Sequence, residues 1–229
     1  MKKIAIIQPN YIPWVGYFDI INQVDEFVFL DDVQFTKRDW RNRNYINSDA
    51  GGKMMSIPVD SKGKFTQKIY ETNCLDNKWK ENHLRQIKES YRSYPNFNLI
   101  YNFLTKAYHK SESLSLLENL YNINLAIINF LQIKTKIYHS KDFLIKACKQ
   151  DKIIRICKKI GADIYLTGPL AKNYLEPKLF EKEKIILEFV DYKKYIYEIH
   201  NKNHKFIENL SIIDLLMNEG PNSYLKLKN

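Results

Sequence analysis

KIAIIQPNYIPWVGYFDIINQVDEFVFLDDVQFTKRDWRNRN, residues 3–44, decides the fold. Its first apolar run, Ile4-Ala5-Ile6-Ile7, has the length and β-branched content of a buried strand. Gln8-Pro9-Asn10-Tyr11 break the pattern, because proline removes a donor and fixes φ. From Pro13 the spacing becomes helical, with Trp14, Tyr17, Phe18 and Ile21 falling on one face. Pro13 suits a first helical turn, where its missing N–H costs nothing. A second run, Phe27-Val28-Phe29-Leu30, ends abruptly in Asp31-Asp32. Strand, turn, helix and strand within about thirty residues make one right-handed βαβ unit of a parallel sheet. Polar groups collect where both strands end, and open α/β sheets bind their ligands at that edge.

Working outward, each group at that edge has a chemical use. Gln8, Asn10 and Tyr11 lie in the turn before a helix N-terminus, a natural place for an anion. Trp14 and Tyr17 open the helix, and Gly16 between them costs about 1 kcal/mol against alanine. That glycine permits either close approach of a ligand or strand, or tight helix–sheet packing. Asp31 and Asp32 are followed by Gln34, Lys37, Arg38, Trp40, Arg41, Asn42 and Arg43. Arginine grips phosphate or carboxylate through a bidentate fork, while a carboxylate holds a sugar hydroxyl, an amine or a metal. Neighbouring strand residues point to opposite faces, so one aspartate is expected to face the cleft and the other to brace the loop. Asp32 is the expected ligand contact.

QPNYIPWVGYFDII, FLDDVQF and WRNRN together resemble the WbqC-like family of bacterial proteins. ADIYLTGPLAKNYLEPKLF and NLSIIDLL resemble it too, so the likeness spans nearly the whole chain. The resemblance implies a role in O-antigen or other surface-glycan synthesis, by transfer of glycine or another acyl group to an amino sugar. A weaker likeness is to the nucleotidylyltransferase superfamily, pantothenate synthetase included. There a His-x-Gly-His sequence opens the first helix; here Trp14-Val15-Gly16-Tyr17 occupies that spacing. Without those two histidines, that resemblance implies a nucleotide-binding shape more than adenylation.

At 229 residues the chain is long enough for one sizeable α/β domain. No apolar run approaches the length of a membrane span, and the N-terminus enters a strand without a signal-peptide core. Cys74, Cys148 and Cys157 lack metal or Cys-x-x-Cys spacing, so free thiols in a reducing cytoplasm are expected. The net charge of +10 attracts anionic partners, phosphorylated small molecules among them. No nucleic-acid motif accompanies it; tRNA enters as a partner only if the donor is an aminoacyl group.

Further along, residues 45–52 read as a turn, KMMSIPV (53–59) as a strand near an edge, and residues 62–73 as another short strand. Residues 78–130 carry three helices in series, an insertion at about 76–132 that is placed to cap the site. In the first of them His83 lies one turn from Trp79 and is the most convenient general base. KIYHS (136–140) returns to the sheet, and DKIIRICKKI (151–160) is an amphipathic helix capped by Gly161. Asp163–Leu166 is a strand ending in Thr167-Gly168-Pro169, followed by Lys172 and Asn173, a second ligand loop. Residues 187–190 form a last strand and 211–217 a short helix.

The sequence therefore predicts one three-layer, Rossmann-like, mostly parallel α/β domain with an inserted helical subdomain. Its site is a cleft between residues 8–17, 31–43 and 167–173. No Ser-His-Asp order, cysteine nucleophile or Walker loop is visible. That leaves chemistry done by positioning, charge and a general base, which the amide formation implied by the resemblance fits, with His83, Asp31, Asp32 and Lys172 as the catalytic set and no metal assigned. The expected partners are a nucleotide-linked amino sugar and an activated acyl or aminoacyl donor, or ATP. The rival expectation is a non-catalytic nucleotide-sugar-binding or scaffold protein.

Overall fold

The computed structural model describes residues 1–227. In chain order, β1 (Lys3–Ile7), α1 (Val15–Asn22) and β2 (Glu26–Phe29) form the opening unit. A hairpin of β3 (Arg43–Ile46) and β4 (Lys53–Ser56) follows, then α2 (Lys78–Tyr91), α3 (Phe97–Tyr108) and α4 (Leu116–Phe130). The chain returns through β5 (Lys136–His139), α5 (Lys149–Ile160), β6 (Ile164–Thr167), α6 (Pro177–Lys182) and β7 (Ile186–Phe189). It closes with α7 (Ile212–Glu219).

The main sheet has the order β5-β2-β1-β6-β7, and every pair in it is parallel. Counting only its own strands, that order is 3-2-1-4-5, the doubly wound arrangement. Central strands of such a sheet are covered on both faces and read as continuous apolar runs. Ile4, Ala5, Ile6, Phe27, Val28 and Phe29 are accordingly buried. Alternate residues feed two cores. Ala5, Phe27 and Phe29 face α1, α4 and α7, while Ile4, Ile6 and Val28 face α5 and α6.

Helix α1 is buried at every position from Val15 to Ile21, Asp19 included. Asp19 is tolerated there because the Tyr195 hydroxyl donates to its Oδ2 at 2.5 Å. Residues 191–200, which carry no regular secondary structure, thus strap across α1. Gly161 ends α5 in the left-handed region at φ 72°, as its sequence position predicts.

Two local expectations change. Residues 43–46, partly read as a turn, form a strand because Arg43 to Ile46 pair antiparallel with Ser56 to Lys53. The expected strand within 62–73 is instead a single 3-10 turn at Ile69–Glu71. Its backbone N–H groups are already committed: Ile69 donates to the Val33 carbonyl and Tyr70 to that of Asp31. Those bonds tie the segment to the loop after β2. Among the described residues no helix is long and apolar enough to cross a membrane, and all three cysteines are free.

Candidate functional site

The strand order reverses between β1 and β6, and a cleft of about 500 Å³ opens at their carboxyl ends. Gln8 and Asn10 after β1, Trp14 and Tyr17 around the start of α1, and Thr167 and Gly168 at the end of β6 all line it. Thr167 and Gly168 meet Gln8 because β6 pairs directly with β1, with Ala5 opposite Leu166.

Arg41 is the one charged residue among those lining the cleft. Its guanidinium is largely buried, with 12% of the side chain exposed. One terminal nitrogen donates to the Asn10 side-chain carbonyl and the other to Asp39 Oδ2 at 3.1 Å. Its Nε is buried with no hydrogen-bond partner. Burial lowers the Arg41 pKa against the support of Asp39. For Asp39, burial works upward, but the Thr36 hydroxyl and Arg41 outweigh it and hold the carboxyl below its usual value.

The turn that carries Asn10 is built by asparagines. Asn44 donates to the carbonyls of Tyr11 (3.1 Å) and Ile12 (2.9 Å), and Asn124 of α4 donates to that of Asn10 at 2.9 Å. The backbone can therefore hold Ile12 at φ 37°, a conformation rare for a β-branched residue. Asn124 is fully buried and its Oδ1 is also without a partner. Two orphaned polar atoms, a donor on Arg41 and an acceptor on Asn124, belong to side chains that both hold Asn10. Buried polar atoms are normally satisfied, and Asn42 Oδ1, Asn77 Oδ1 and Trp79 Nε1 share this state elsewhere; of the five atoms only Arg41 Nε belongs to a residue that lines the cleft.

The aromatic wall has its own logic. The Trp14 ring packs against Tyr192 (4.9 Å) and Tyr195 (5.8 Å) and lies directly over Gly16. A Cβ at Gly16 would come within 2.4 Å of that ring. The group nearest the glycine is neither a ligand, a strand nor the sheet but the indole of Trp14 two residues before it. The Tyr17 hydroxyl donates to the Gln8 carbonyl at 3.1 Å, and burial pushes its pKa well up. Burial likewise pushes Tyr192 up to about 12. The phenols in the wall are neutral hydrogen-bonding groups at ordinary pH.

The two aspartates part at the end of β2, as alternation requires. Asp31 is fully buried and accepts from the backbone N–H of Lys141 (2.9 Å), from the Ser140 hydroxyl (3.0 Å) and from His139 Nδ1 (2.6 Å). Asp32 turns to the other face and forms an ion pair with Lys152 of α5. The Ser140 hydroxyl touches both carboxylates. Asp31 is the bracing member. Neither aspartate lines the cleft, although Leu30 just before them does.

The remaining expected residues lie elsewhere. His83 is 3% exposed, with Nδ1 2.7 Å from the Tyr11 hydroxyl, which in turn sits 2.5 Å from that of Tyr108. Burial pushes His83 down to about 4, so it is a neutral core imidazole. Arg43 donates to the Arg38 carbonyl, Asn42 to the Ile57 carbonyl (2.8 Å) and Gln34 to the Phe65 carbonyl (2.6 Å). Lys37 lies over the Phe65 ring, Trp40 is half exposed beside Tyr45, Lys172 covers Phe189, and Asn173 is exposed. These hold loops or face solvent, and none lines the cleft. Sequence reasoning passed over Tyr192, Asn124, His139, Ser140 and Lys152. Three tyrosines within VDYKKYIYEIH were the available signal for the first, and a histidine closing a strand was the signal for His139.

The sequence model of the WbqC-like protein family matches residues 8–225. The chain is also 37% identical over 227 residues to the uncharacterized protein Rv1507c of Mycobacterium tuberculosis, covering 96% of this chain and 95% of the relative. No solved structure matches the chain.

Proposed function

The chain belongs to the WbqC-like protein family, and on that footing we propose that it modifies a nucleotide-linked amino sugar in surface-glycan synthesis, by transferring an acyl or aminoacyl group to it. The observation that carries this reading is the buried, incompletely paired Arg41 guanidinium at the switch point of the sheet. A buried cation that gives its single carboxylate neighbour only one nitrogen has donors left for an anion. Phosphate groups bind at that position in doubly wound sheets. The wall of Trp14, Tyr17, Tyr174 and Tyr192 suits a ring-bearing ligand, and about 500 Å³ is within the range of small-molecule sites.

In this reading Arg41 and Asn10 fix the diphosphate, Thr167 and the Gly168 backbone bound its other side, and the aromatic wall excludes water. Transfer then proceeds by holding amine and acyl carbon in contact, and most of the rate comes from that positioning. In this reading the chain acts as a single domain in the cytoplasm, and the helices of residues 76–132 support the cleft from behind, through Asn124, without lining it. Incubating the protein with a nucleotide-linked amino sugar and a panel of acyl and aminoacyl donors, then measuring product masses, tests the reading. A mass increase on the sugar is expected; no product with any donor counts against transfer.

One observation favours a second reading. The residues lining the cleft include no carboxylate, histidine or lysine, so the cleft wall itself offers no general base. A binding protein that carries the nucleotide sugar to a separate transferase would need none. Binding without turnover across the donor panel is its expected signature.

A further inference from the structure

We propose that His139, oriented by Asp31, is the proton acceptor for the group that is transferred onto, a site that rests on the nucleotide-sugar reading of the cleft and completes it. Asp31 accepts from His139 Nδ1 and the Lys141 N–H in a fully buried position, and shares the Ser140 hydroxyl with Asp32. With the Asp31 carboxylate as acceptor at Nδ1, that nitrogen is the donor, and Nε2 is the ring nitrogen left to exchange a proton. Nε2 has no hydrogen-bond partner among the described residues, and 19% of the side chain is exposed. Nδ1 held by a buried carboxylate, with Nε2 open, is the arrangement of a base prepared to take a proton.

Its position fits the cleft. His139 is in register with Phe29, and Phe29 with Ile7, so the three sit in one row at the carboxyl edge. Two strand spacings put His139 roughly 10 Å from the end of β1. Helix α4 spans the same interval, with Tyr121 against the His139 ring at 4.8 Å and Asn124 bonded to the Asn10 carbonyl. His139 does not itself line the cleft, so in this proposal a ligand whose phosphates meet Arg41 reaches Nε2 by extending its sugar along this edge.

The sugar amine forms a bond to the carbonyl carbon of an activated ester or thioester and gives its proton to Nε2. The carbon–heteroatom bond of the donor then breaks, and the departing group takes that proton. Asp31 stabilises the imidazolium between the two events, without itself being protonated.

Carbethoxylation by diethyl pyrocarbonate, resolved by peptide mass spectrometry, tests this with uridine diphosphate N-acetylglucosamine as the probe. Calorimetry of the same mixture reports binding separately. His139 should react about tenfold or more faster than His83 and His204, which are buried and must open locally first. At about ten times its Kd the probe should slow His139 about tenfold and leave the exposed His109 and His200 unchanged. A His139 as slow as the two buried histidines overturns the proposal. So does an unprotected His139 when calorimetry shows the probe bound. If calorimetry shows no binding, the reading of the cleft has failed on its own account, and the His139 rate still decides whether its Nε2 is open.

Discussion

At the scale of single residues, the same side-chain type serves opposite purposes according to burial. Arg41 and Arg43 stand two apart in WRNRN, yet one lines the cleft and the other ties a loop carbonyl. Two buried asparagines alternate with them, Asn42 and Asn44, and both hold backbone carbonyls. Sequence alone marked the segment as functional; which arginine enters the cleft depends on the tertiary position of Asn10. Gly16 gives a sharp test of the local packing. Gly16→Ala forces the Trp14 ring off Tyr192 and Tyr195, and should cost about 1–3 kcal/mol in urea unfolding while weakening ligand binding. His83 gives a test of burial by pH. Its folded pKa of about 4 lies below the ordinary 6.5, so the unfolded chain takes up the proton first as pH falls. Stability from this group is present above 6.5 and is lost on going down toward 4, about 3 kcal/mol in all. Urea midpoints of wild type and His83→Asn between pH 7.5 and 4 check it: the wild type should lose the more stability.

Among the elements, the opening βαβ unit was legible because its apolar runs and helical spacing belong to one short stretch. The second strand of the hairpin was legible too, but its first strand and the 3-10 turn were not, since both depend on partners outside their own stretch: Asn42 with Ile57, and Ile69 with Val33. The separation of Asp31 from Asp32 followed from strand alternation, but His139, Ser140 and Lys152 come from the end of β5, the turn after it and α5, which no local pattern connects to β2. That connection makes a prediction. Removing one partner of the Asp32–Lys152 pair strands a buried charge, and Asp32→Leu or Lys152→Met alone should each cost about 3–5 kcal/mol. The double variant should recover most of that loss, because neither charge is then left behind. Thermal or urea unfolding of the four proteins closes the cycle, and simple additivity would show that the pair is not coupled.

At the scale of the whole molecule, the strand order 3-2-1-4-5 places one cleft at the switch point, and the strap after β7 adds Tyr192 to its aromatic wall. The strap is held by tyrosine–carboxylate pairs, Tyr195 to Asp19 at 2.5 Å and Tyr197 to Asp214 at 2.8 Å. Tyr195→Phe leaves Asp19 with one fewer donor and should loosen residues 191–200, seen as faster hydrogen exchange there with α5 unchanged. The central claim is that the buried Arg41 guanidinium receives the phosphates of a nucleotide sugar. Calorimetric titration of uridine diphosphate N-acetylglucosamine into wild type, Arg41→Ala and Arg43→Ala tests it most directly. Arg41→Ala should weaken binding by about 1.5–3 kcal/mol, the range for a charge-assisted hydrogen bond, and Arg43→Ala should bind as wild type does. Equal affinity in wild type and Arg41→Ala would contradict the account.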